Sequence, residues 1–117
     1  MPIILNQRAF DHAKKLIAAG EVEHGNCTWS EHQATRDEID KYLNTHDMQE
    51  YALWFLGDNT DMSGESIERY EFPVGDLKIV HRGAVIAIKQ KTGQQKHMEI
   101  EKAADQLLRL IDAQKAE

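Results

Sequence analysis

Apolar residues return at three- and four-residue intervals in the first and last parts of the chain, and this spacing predicts a helix at each end. Near the start, Ala9, Phe10, Ala13, Leu16 and Ile17 fall on one face. Asn6 is suited to cap that helix, Leu5 and Phe10 to staple it, and Gly20 to stop it, giving a helix over 7–19. Near the end, Ile100, Ala103, Ala104, Leu107, Leu108 and Ile111 mark one face of a helix over 98–114. Leu110 widens that face, so this helix is expected to pack on more than one neighbour. Between them, Ser30 with Gln33 and, more strongly, Thr35 with Glu38 form capping-box patterns; the second opens a helix over 36–44 with Ile39, Tyr42 and Leu43 as its stripe. Asp47 with Glu50 repeats the pattern and allows a further short helix from Met48.

The middle of the chain is less periodic. Residues 51–56 are large and mostly apolar and end at Gly57, which suits a buried strand as well as the end of a buried helix. Residues 58–66 read as a polar loop. Polar and aromatic side chains alternate over 69–72, and Pro73 limits that strand to an edge. Segments 54–57 and 69–72 therefore make a short candidate pair. Over 79–91 the β-branched content favours a strand, whereas Val80, Ala84, Ala87, Ile88 and Lys91 line up at helical spacing and Gly93 is placed as a stop. The helical reading is preferred. The expected fold is mainly α: a compact bundle of about four to five helices with at most a short two-stranded β pair. Its core is expected to come from the first, second and last of the long helices, filled by Trp54, Tyr70 and Phe72. The alternative is an α+β fold with a β-hairpin at 68–90.

Composition narrows the class. With 117 residues, 41% apolar and 29% charged, the chain is read as one soluble globular domain spanning 1–117. It is long enough to bury roughly two thirds of its unfolded surface without a disulfide or metal. Fourteen basic against twenty acidic side chains give a formal charge of −6, which argues against nucleic acid as a partner. One cysteine, Cys27, permits no intrachain disulfide and fits a reducing compartment. The opening residues lack a basic region followed by a long apolar core, and the longest apolar run is short of a membrane span. A cytoplasmic protein that does not engage membranes is expected.

Specific residues are densest over 69–82, RYEFPVGDLKIVHR. Tyr51, Trp54, Leu56 and Gly57, then Arg69-Tyr70-Glu71-Phe72-Pro73 with Gly75-Asp76, then His81-Arg82, resemble a family of small uncharacterised bacterial proteins. WSEHQ at 29–33 and IEKAA at 100–104 are similar to the same family, so the likeness spans most of the chain from Phe10 onward. Members of that family carry more alanine after the His-Arg pair, which implies a helix there. No activity and no catalytic residues come with the resemblance. A weaker likeness links the FPVGD-to-IEKAA half to small phage-associated proteins.

Three constellations have the residue types for chemistry. Asp76, His81 and Arg82 offer a carboxylate to orient an imidazole and a guanidinium for an anionic substrate. The plainer reading gives Asp76 a turn to cap and Arg82 a nearby carboxylate. His24, Cys27 and His32, with Glu23 or Glu31, have donors a zinc site uses, although a polar loop with one thiol accounts for them as well. Asn59, Asp61, Ser63 and Gly64 imitate the start of an EF-hand loop, but Tyr70 stands where the closing glutamate belongs, and calcium is rejected. Cys27 as a nucleophile would need a base beside it, for which His24 or His32 is a candidate, but a lone cysteine in a small domain is usually inert; Lys91-Thr92-Gly93 lacks the order of a phosphate loop. Of the aromatics, Trp29, Tyr42, Trp54, Phe55, Tyr70 and Phe72 are expected mostly in the core. No complete catalytic or cofactor motif is present, and no cofactor is expected. The leading expectation is a non-enzymatic protein-interaction domain that binds a protein partner or forms a homo-oligomer. The alternative is a small enzyme or ligand-binding domain around Asp76, His81 and Arg82.

Overall fold

Asn6 ties three elements together. Its side-chain oxygen accepts from Ala9 N at 3.4 Å, capping the first helix, while its amide donates to Ala52 O at 2.9 Å and Phe55 O at 3.1 Å. Its backbone N–H donates to Leu56 O at 2.8 Å. The computed structural model describes residues 3–23, 33–63 and 66–115. In it, strand β1 (Ile3–Leu5) runs through Asn6 into helix α1 (Gln7–Ala18), which buries Ala9, Phe10, Ala13 and Ile17. Gly20, at φ +80°, ends the helix with its N–H on Ile17 O, a conformation that side chains with a Cβ resist. Strand β2 (Val22–Glu23) follows.

Helices α2 (Arg36–Thr45) and α3 (Met48–Ala52) each begin with a complete capping box, from Thr35 with Glu38 and Asp47 with Glu50. The chain then turns into strand β3 (Phe55–Asn59), and a single 3₁₀ turn (Ile67–Arg69) precedes strand β4 (Tyr70–Pro73). Strand β5 (Val80–His81) leads directly into helix α4 (Arg82–Gln95), and helix α5 (Met98–Lys115) completes the described residues.

The protein is mainly helical, with five helices among the described residues. The expectation of at most one short β pair is corrected. β3 is the centre of a three-stranded antiparallel sheet, with β1 paired through Leu5 and Gly57 and β4 paired through Glu71 and Gly57. β2 and β5 form a second, parallel pair. β1 had no pattern to announce it, because three residues are too few to show a period. The hairpin at 68–90 does not form: β4 pairs with β3, β5 pairs with β2, and residues 82–95 are helix.

The core also differs in its third helix. α4 and α5 make the largest helix contact, and α4 buries Ala84, Val85, Ile88 and Thr92. Its buried face is rotated from the one expected, since Ala87 and Lys91 are exposed. The polar Thr92 is satisfied by Ile88 O at 2.7 Å. Gly93 lies inside the helix, and the stop is Lys96 at φ 61°. α2 buries no residue at all and rests on the core through half-buried Ile39, Tyr42 and Leu43. Trp54 and Phe72 are buried as expected, whereas Tyr70 is half-buried.

Phe72 adopts φ 66°, an uncommon conformation for a bulky residue, and its ring covers Gly57 on the neighbouring strand. A Cβ on Gly57 would lie 2.6 Å from Phe72 Cδ2 and 3.2 Å from Glu71 O. Gly57→Ala is therefore expected to destabilise the protein by about 1–3 kcal/mol through overpacking. Urea unfolding checks this; an unchanged midpoint would mean that the ring is free to move aside.

Candidate functional site

The turn joining β4 to β5 is closed at both ends by backbone. Val74 N donates to Trp54 O at 2.9 Å, His81 N donates to Val74 O at 2.9 Å, and Gly75 bridges Val80. Gly75 is needed here, because a Cβ would run into the Ile79 carbonyl and lie 3.1 Å from the Trp54 ring. Within this frame Asp76 directs both carboxylate oxygens inward. Oδ1 accepts from Lys78 N and Ile79 N at 3.0 Å each, and Oδ2 lies 3.1 Å from His81 Nε2. Leu77, between them, is held at φ 72°.

Of the three residues singled out in this region, two are brought together. Asp76 and His81 form a pair, with the His81 ring buried at the N-cap of α4. Arg82 is held by α5, where Nε donates to Asp112 Oδ1 at 2.8 Å and Nη2 to Oδ2 at 3.4 Å. Burial pushes the Asp76 carboxyl up, but the hydrogen bonds from Ile79 N–H, His81 and Lys78 N–H together outweigh it and hold the pKa below the ordinary value.

His24, Cys27 and His32 lie outside the described residues. Among the described residues no group of three His, Cys, Asp or Glu side chains is placed to hold a metal ion. At the start of the acidic loop, Asn59 Oδ1 accepts from Asp61 N at 3.2 Å, an ordinary side-chain-closed turn. The loop is clipped by Arg69, whose guanidinium takes both oxygens of Asp58, at 2.5 and 3.2 Å.

Beside the Asp76 turn lies an open cleft of about 480 Å³, walled on one side by α2. Tyr42 and His46, one helical turn apart, stack in parallel with ring centroids 3.9 Å apart and line it. Tyr42 OH accepts from Trp54 Nε1 at 3.3 Å, fixing the ring at the base of α2. Leu77 and Lys78 form the opposite wall, with Lys41 on the α2 side. These residues were missed in the sequence. The i, i+4 spacing of Tyr42 and His46 was a signal for them, but nothing in the sequence placed the turn opposite.

Comparison with protein-family models, curated proteins and solved structures found no match.

Asp76 gives a pH-dependent test. Because its folded pKa is lowered, the unfolded chain takes up the proton first as pH falls. Its stabilisation is full above about pH 4 and fades as pH drops through the lower folded value. Asp76→Asn is expected to cost about 1–3 kcal/mol at neutral pH, with the deficit shrinking in acid. Chemical unfolding across pH checks this, and a deficit that stays constant with pH would exclude an ionic role.

His12 on α1 gives a second window. Its ring stands edge-on to Trp54 with centroids 5.3 Å apart. Burial lowers its pKa, with Lys15 adding to the effect, against a smaller opposing pull from the Leu53 backbone and Glu21. A lowered histidine pKa means stability is lost as pH falls below about 6.5, where the unfolded chain protonates first. His12→Gln should flatten the loss of unfolding midpoint between about pH 7 and about pH 5. Parallel profiles for the two proteins would rule His12 out as the group responsible.

Proposed function

We propose that this chain is a small cytoplasmic protein-interaction domain that works without catalysing a reaction, binding a protein partner or a second copy through the outer face of α5. The observation that carries this reading is Leu110. It is 41% exposed on a helix whose Ile100, Leu107, Leu108 and Ile111 are buried or half-buried. Met98, at the start of the same helix, is 72% exposed. Single exposed apolar residues are common on protein surfaces, but Leu110 continues a stripe that is already packed on its inner side. The net charge of −6 supports a protein partner over nucleic acid.

A second reading is favoured by one observation, the Asp76–His81 pair set beside the cleft. It makes the chain a ligand-binding domain or small enzyme around Asp76, His81 and Arg82. The ligand-binding form has the better support, because every hydrogen bond of Asp76 closes its own turn and Arg82 is occupied by Asp112.

Leu110→Lys tests the leading reading. The variant is expected to keep its far-ultraviolet circular dichroism while self-association, read by native mass spectrometry, weakens about tenfold or more. A wild-type protein that is monomeric, and that loses no partner on substitution, would remove α5 as the interface.

A further inference from the structure

We infer that the cleft between α2 and the 75–80 turn is a binding site for a small planar aromatic anion, taken against the Tyr42–His46 stack and between Lys41 and Lys78. This rests on the ligand-binding reading of the same region and names its ligand class.

Charge carries the first half of the inference. Four charged side chains line the cleft: Glu38, Lys41, Asp76 and Lys78. Both carboxylates are committed to local backbone. Glu38 Oε1 accepts from Thr35 N at 3.1 Å to complete the α2 capping box, and Asp76 is used by Lys78 N, Ile79 N and His81. The two lysines form no ion pair with a described residue. Two carboxylates and two ammonium groups balance in this lining, against an excess of six acidic side chains in the chain as a whole, and neither ammonium is paired with a described residue. An anion placed between them meets two cations, while Glu38 and Asp76 keep their charge but direct oxygens to N–H groups of their own turns.

Shape carries the second half. The space, about 480 Å³, is within the usual range for small-ligand sites, about 300–1,000 Å³. One wall carries the Tyr42–His46 stack, whose rings lie face to face with planes 2° apart, so an outer face of the stack is what a further ring can meet. A planar aromatic body has the matching surface for such a wall, as stacked rings attract beyond simple area burial. Leu77 supplies an apolar contact opposite, at a backbone conformation of φ 72° that the Asp76 hydrogen bonds enforce. Strain of this kind concentrates where a side chain has to be presented in a particular direction.

The test uses the full chain, ¹⁵N-labelled, with three probes: 2-naphthoate, its neutral analogue 2-naphthamide, and the non-aromatic anion cyclohexanecarboxylate. 2-Naphthoate should shift the amide signals of residues 41–46 and 76–78 saturably, with Kd below about 1 mM. The other two probes should bind at least about tenfold more weakly. Lys41→Gln combined with Lys78→Gln should weaken 2-naphthoate about tenfold and leave 2-naphthamide unchanged. Equal binding of 2-naphthamide overturns the anion selectivity while the ligand-binding reading stands. Equal binding of cyclohexanecarboxylate overturns the aromatic selectivity in the same way. If no probe moves any cleft signal, both this inference and the reading beneath it fall.

Discussion

The Asp76 carboxylate is the constraint on which the second half of the fold depends. A turn with Leu77 in the left-handed region is unfavourable by about 1–2 kcal/mol for a residue with a Cβ. Two backbone N–H groups and one imidazole gathered on a single carboxylate offset that, at about 1 kcal/mol or more for each hydrogen bond. Closing this turn sets where β5 begins, and β5 runs without a linker into α4. α4 in turn makes the main packing surface for α5. A local ionic knot thus determines the direction of two helices that contribute much of the core.

The elements that could be read in the sequence are those whose signals are local. The caps at Asn6, Thr35 and Asp47, and the stripes of α1 and α5, depend on residues within one or two turns of each other, and they correspond to the helices observed. α4 was legible from its period despite its β-branched content, because tertiary burial of Val85 and Ile88 overrides the strand preference of those residues. What could not be read was non-local. β1 is defined by pairing with β3, more than fifty residues away in the sequence, and no three-residue stretch announces such a partner. The place of α2 was misjudged for the same reason: its apolar stripe is real, but α4 fills the position beside α5 that the stripe suggested for α2.

The candidate site divides along the same line. Asp76 and His81 are five residues apart, and their residue types within one short stretch suggest a pair; the strand β5 that positions His81 is not among the expected elements, since the period over 79–91 predicts helix. Arg82 is adjacent to His81 in sequence, yet a helix start rotates successive side chains apart, and Arg82 leaves toward Asp112. Residue density along the sequence brought out the Asp76–His81 pair but not the Asp112 partner of Arg82. The cleft needed α2 and the turn to meet across more than thirty residues, which no spacing rule covers.

The burial pattern of α2 bears on what the cleft can do. A helix with no buried residue, fixed chiefly through Tyr42 on Trp54 and the half-buried Ile39 and Leu43, is anchored to the core along one edge only. Its own stability comes from the capping box and the Arg36–Asp40 pair, which are local and exposed and worth about 1–2 kcal/mol together. The opposite wall is different, since the 75–80 turn is fastened by backbone at both ends and by Asp76 within. One wall is tied by backbone hydrogen bonds, and the other is held, among the described residues, by Tyr42 against Trp54 and Tyr51 and by a few half-buried side chains. A ligand lodged between them would therefore act first on α2, and Tyr42, through Trp54 and Tyr51, is one route by which that contact reaches the core.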